Sequence, residues 1–152
     1  MTFTRTQSLF RAIAPLAALA LLAGCENSAT SIMIEGKEHA LVLVREQSYF
    51  WKDDVEQYLV VSRLPECQRR VKIFPNKSQM TPVDVYVAGD RLWALHQGNQ
   101  WYLASTDKCQ SQVWKTPDVQ QLGPMVGRFG QRDGKVVFVP TPSPPPAAPS
   151  GN

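Results

Sequence analysis

Val83, Val85 and Val87 alternate with Asp84, Tyr86 and Ala88, and the alternation is cut by Gly89-Asp90 and again by Gly98-Asn99. A period of two places one set of side chains on each face of a strand, and two-residue loops containing glycine match the twist of antiparallel neighbours. Residues 83–105 therefore predict a three-stranded meander: 83–88, Arg91 to Gln97, and Gln100 to Ser105. Asp133-Gly134 signals another hairpin, between Val126–Gln131 and Lys135–Val139. Gly36-Lys37 signals one between Ser31–Glu35 and Glu38–Arg45. Tyr58 to Leu64 and Arg70 to Phe74 add two β-branched runs, and Leu41-Val42-Leu43-Val44 is apolar on both faces, as a central strand would be.

No stretch carries a sustained helical period with caps at its ends. The nearest is Lys52 to Tyr58, a candidate helical turn with Asp53 as N-cap and Glu56 three residues on. Residues 111–124 read as a long loop, broken by Pro117, Gly123 and Pro124, and Gly123, Gly127 and Gly130 are spaced for turns. The expected fold is mainly β: a single small antiparallel β-sandwich or barrel over residues 31–139, built from hairpins and a meander. The segment 140–152 holds six of the chain's 12 prolines and cannot pack a core. It is expected to be a solvated, disordered Pro-rich tail favouring extended polyproline II, with a spacer or a ligand for a groove as the alternative reading.

The N-terminus has a different composition. Arg5 and Arg11 stand without an acidic residue nearby, and residues 12–23 are apolar throughout. Such a run suits a secretory signal and falls short of the ~20 residues that span a bilayer. It ends on Leu22-Ala23-Gly24-Cys25, a hydrophobic residue and two small ones before a cysteine. This resembles the lipobox of bacterial lipoproteins. The resemblance covers the first 25 residues and leaves the β-domain unassigned. It implies cleavage after Gly24, a thioether-linked diacylglycerol on Cys25 and acylation of the new N-terminus. Two or more chains anchor stably where one does not. Residues 1–24 would then be the signal, 25–30 a lipidated tether of up to about 20 Å, and the lipid the link to a membrane. Glu26 after the cysteine points to the outer membrane, with the domain facing the periplasm.

The cysteine count fits that address. Three cysteines are an odd number for a secreted chain. With Cys25 set aside, Cys67 and Cys109 remain, either as a disulfide in an oxidising compartment or as two buried thiols. A bond closing that loop would stabilise the fold by about 4 kcal/mol in the chain-entropy picture. The formal charge of +3 also belongs partly to the signal. Without Arg5 and Arg11 the excess is a single positive charge, which gives no electrostatic case for nucleic acid.

Motifs for catalysis are wanting. His39 and His96 have no second ligand at metal-binding spacing, no serine sits in a Gly-x-Ser-x-Gly or Ser-x-x-Lys pattern, and no glycine-rich phosphate loop precedes a helix. No catalytic residue, metal or cofactor is expected. Arg69, Arg70 and Lys72 beside Cys67 read as a solvated strand edge. The aromatics remain: Tyr86, Trp93, Trp101, Tyr102 and Trp114. Alternation puts Trp101 with Leu103 on one face and Tyr102 on the other, and Trp93 with Leu95 opposite His96. Large aromatics fill small cores; on an open sheet they anchor partners. On the second reading Trp93, Trp101 and Tyr102 would form the contact with an envelope protein or glycan. The expected function is that of a non-enzymatic, membrane-anchored binding protein. A carrier of a small apolar ligand inside a barrel is the alternative, and a lipid-anchored hydrolase has no motif behind it.

Overall fold

The computed structural model describes residues 27–49 and 51–142; Cys25, the signal and residues 143–152 lie outside the described residues. Among the described residues ten strands form two antiparallel sheets. The first contains β1 (Asn27–Glu35), β2 (His39–Glu46), β3 (Asp54–Arg63) and β4 (Cys67–Lys77), in that order. The second is ordered β10-β9-β5-β6-β7-β8, with β5 (Val83–Gly89), β6 (Leu92–Gln97), β7 (Gln100–Ser105), β8 (Gln110–Val113), β9 (Met125–Arg132) and β10 (Lys135–Pro140). The chain passes between the sheets at the β4–β5 connection. The sheets face each other as a sandwich and do not close into a barrel.

The inward rows follow from the alternation. Leu41 and Leu43 of β2, Leu59 and Val61 of β3, and Ile73 of β4 meet Val83, Val85, Leu95, Ala104 and Phe129 of the other sheet. These side chains occupy the space that a barrel carrier would keep for its ligand. Burial of each large aliphatic group contributes roughly 1.5–3 kcal/mol.

Both edges of the sandwich are joined. On one, Thr30 Oγ1 donates to Val136 O (2.5 Å), and Ser28 Oγ accepts from Val136 N (3.3 Å), tying β1 to β10. On the other, Cys67 at the start of β4 and Cys109 before β8 form a disulfide with Cα atoms 6.1 Å apart. At the crossing, Arg45 is fully buried and its Nη2 donates to the carbonyls of Lys77 and Ser78, each at 3.0 Å. Beside it, the amides of Gln57 and Gln97 meet at 2.6 Å. Gln97 also reaches Thr81 O (3.3 Å), so buried polar groups fix the path between the sheets.

The hairpin turns obey their glycines. Gly98 opens its loop at φ 55°, and Asp133-Gly134 has φ 51° and 74°, the doubly left-handed turn that fits strand twist. Elsewhere the expected boundaries move. β1 begins at Asn27, so residues 27–30 of the expected tether belong to a paired strand. Asp54 to Tyr58 is strand, because Val55, Gln57 and Leu59 alternate into the core and override the capping pattern at Asp53. The long loop expected over 111–124 is shortened by β8 and by a 3-10 turn at Val119–Gln121. Gly127 and Gly130 lie inside β9 and mark no turn. Gly127 lies under the ring of Phe138, and a Cβ there would fall 2.5 Å from the carbonyl of Val139.

Candidate functional site

The face of the second sheet that points away from the core carries the most distinctive surface among the described residues. Cross-strand register builds it. Arg128 of β9 pairs with Asp84 of β5, Asp84 with His96 of β6, and His96 with Trp101 of β7. These four side chains form one lateral row. The next row is Tyr86, Ala94, Leu103 and Gln112.

The aromatic members touch. The His96 and Trp101 rings stack with centroids 4.2 Å apart and planes at 19°. Tyr86 lies 5.8 Å from Trp101, and Trp114 meets Trp101 edge-on at 6.3 Å. Trp114 is held there by its backbone N–H, which donates to Trp101 O (2.8 Å). All four rings are half-buried, each presenting part of its surface to solvent. At the polar end of the row, the Arg128 guanidinium grips both carboxylate oxygens of Asp84, with Nη2 at 3.0 Å from Oδ2. That pairing holds Arg128 firmly in its charged form. Burial, and then the charge of Asp84, raises the Tyr86 hydroxyl above its ordinary range and keeps it a neutral donor.

Along β6 and β7 the same face leads to an open cleft of about 600 Å³. Leu92 and Leu103 form its floor, and Asp107, Lys108, Gln110 and Arg69 line its walls. Aromatic surface and polar cleft are thus continuous through Leu103. A surface of flat apolar rings beside hydrogen-bonding groups suits a ligand with both kinds of face.

The residues expected at a contact divide between the two sides of the sheet. Trp101 lies on the outward face. Trp93 and Tyr102 do not: they are 8% and 5% exposed and belong to the core. Tyr102 spans the sandwich, its hydroxyl accepting from the backbone N–H of Phe74 in β4 (2.8 Å). The physical reason is alternation: residues 93 and 102 share the inward side with Leu95 and Ala104. His39 is buried, its Nδ1 3.0 Å from Thr106 Oγ1. Arg69, Arg70 and Lys72 do lie on an exposed edge strand, with Arg70 over the Tyr58 ring and bonded to Glu46.

Sequence reasoning passed over the contribution of Tyr86, His96 and Trp114 to the outward face. Tyr86 and His96 join it through the register of β5, β6 and β7, set by the turns at Gly89-Asp90 and Gly98-Asn99, whereas Trp114 follows β8 and reaches it through its backbone bond to Trp101. Among the described residues there is no cluster of three His, Cys, Asp or Glu side chains able to hold a metal ion. No family model matches the chain, and neither does a curated protein or a solved structure.

Proposed function

We propose that this protein is a lipid-anchored lipoprotein of the bacterial cell envelope whose β-domain binds another envelope component, a protein or a glycan, without catalysing a reaction. The lipobox Leu22-Ala23-Gly24-Cys25 supports the anchor, and Glu26 supports an outer-membrane address facing the periplasm. The observation that carries the binding role is the stacked His96–Trp101 pair, flanked by Tyr86 and Trp114, on the sheet face turned away from the core. Such rings supply contact area with little side-chain entropy to lose. The lipid would raise the effective concentration of that surface near membrane partners.

The test is crosslinking in living cells, capture of the protein and mass spectrometry, with glycan released from the captured material measured in parallel. Trp101→Ala combined with Trp114→Ala is expected to lower the capture of one dominant component by tenfold or more. Cys25→Ala should lower it through loss of the anchor. Capture unchanged in the double variant would remove the aromatic face from the proposal.

A further inference from the structure

The loop between β2 and β3 carries Ser48-Tyr49-Phe50-Trp51-Lys52, three aromatic residues in succession followed by a lysine. Its described members do not turn inward. Tyr49 is 48% exposed and Trp51 is 65% exposed, in a domain whose other tryptophans are buried or half-buried. Nor is the loop loose. Lys52 N donates to Tyr49 O (3.1 Å), closing a tight turn, and the Gln47 amide bonds to Lys52 O. The Tyr49 and Trp51 rings stack at 5.0 Å, and Lys52 Nζ lies 5.2 Å from the centre of the Tyr49 ring. An ordered turn that holds aromatic rings toward water offers them as a contact surface.

Register says where the turn points. Asn27, the first residue of β1, pairs with Glu46, the last of β2, and the loop follows at once. The aromatic turn and the point where the chain enters the domain are therefore at the same end of the sandwich. Asn27 lies two residues after Cys25, which is at most about 7 Å of extended chain. We infer that the Tyr49–Lys52 turn is a membrane-contact element, seating its aromatic rings in the headgroup region of the bilayer that holds the Cys25 lipid. Tryptophan and tyrosine favour that region because each offers an apolar ring with a polar edge, and lysine can keep its charge among the headgroups. The inference rests on the lipoprotein reading above. It adds a second contact that fixes the orientation of the domain on the membrane, with the cleft near Asp107 at the far end.

The test supplies the anchor chemically, so that it stands apart from acylation in cells. The chain from Cys25 to Asn152 contains every described residue. It is coupled through the Cys25 thiol to a maleimide-headgroup lipid in phosphatidylethanolamine–phosphatidylglycerol vesicles, Cys67 and Cys109 being held in their disulfide. Tryptophan emission is then compared in vesicles with brominated and with ordinary acyl chains. Bromine is expected to quench the parent chain and Trp114→Phe alike. It should leave Trp51→Phe unquenched, with circular dichroism verifying the fold of each. Equal quenching in Trp51→Phe, or none in the parent, would overturn the contact. The intact mass of full-length protein recovered from membranes tests the reading beneath it. A mass without acyl groups would overturn the anchor, and with it the placement of the turn, whatever the vesicles report.

Discussion

Three aromatic side chains of the meander, close in sequence, serve two different ends. Tyr102 and Trp93 hold the sheets together, and Trp101 faces outward. The difference is measurable as stability. Tyr102→Phe leaves the Phe74 N–H without its acceptor and should lower unfolding free energy by about 1–2 kcal/mol. Trp93→Ala opens the core and should cost about 3–5 kcal/mol. Trp101→Ala removes only half-buried surface and should cost less than either. Urea unfolding of the three variants checks the order, and a Trp101→Ala loss as large as that of Trp93→Ala would make its ring a core element. Each role follows from parity along a strand, which is visible in sequence. Which parity faces the core is not, because both faces of the meander carry an aromatic residue.

At the scale of elements, the outer face of the first sheet is laced by charge. Lys72 Nζ donates to Glu56 Oε1 (2.7 Å) and Tyr58 Oη to Glu56 Oε2 (2.5 Å), joining β3 to β4. These hydrogen bonds, the lysine's first, hold the Glu56 carboxyl below its ordinary range. Folding therefore favours the ionised form. The resulting stabilisation is complete above the ordinary glutamate value of about 4.3 and is lost as pH falls below it. The pair is exposed and the effect correspondingly small. Thermal unfolding at pH 6 and pH 3 should show a smaller acid-induced fall for Glu56→Gln than for the parent, and identical falls would assign the acid sensitivity elsewhere. The strand pairing itself was legible from hairpin signals. The entry of Asn27–Thr30 into β1 was not, because polar and small residues there pair through backbone and through hydroxyl contacts to Val136.

For the whole molecule, closure of the two edges matters most. The β1–β10 contacts depend on single hydroxyls, while the β4–β8 side has a covalent bond with an ion pair beside it, Arg63 to Asp107 at 2.7 Å. Replacing both Cys67 and Cys109 by serine should lower stability by about 4 kcal/mol, from the denatured-chain entropy released across a separation of 42 residues. Denaturant unfolding against the parent measures it, and a negligible loss would place the weight on the packed faces alone. The same architecture sets direction. One end of the sandwich carries the chain entrance and the exposed Tyr49 and Trp51, and the other carries the disulfide and the polar cleft. A domain held at one end would present the cleft outward from its support, with the His96–Trp101 row nearer the held end, beside the Gly98-Asn99 hairpin.

Local patterns decided the elements of this protein. Two-residue turns and alternation depend on steric rules that act within a few residues, so strands and hairpins could be read directly, while the Cys67–Cys109 bond could be read only as one of two outcomes. Tertiary structure decided which side of each strand is core, because that depends on which sheets meet. It put Trp93 and Tyr102 inside, gathered Tyr86, His96, Trp101 and Trp114 from separate segments, and turned Tyr49 and Trp51 toward the end where the chain enters. Those placements arise from long-range register and from one crossing between sheets, and no short window of sequence contains them.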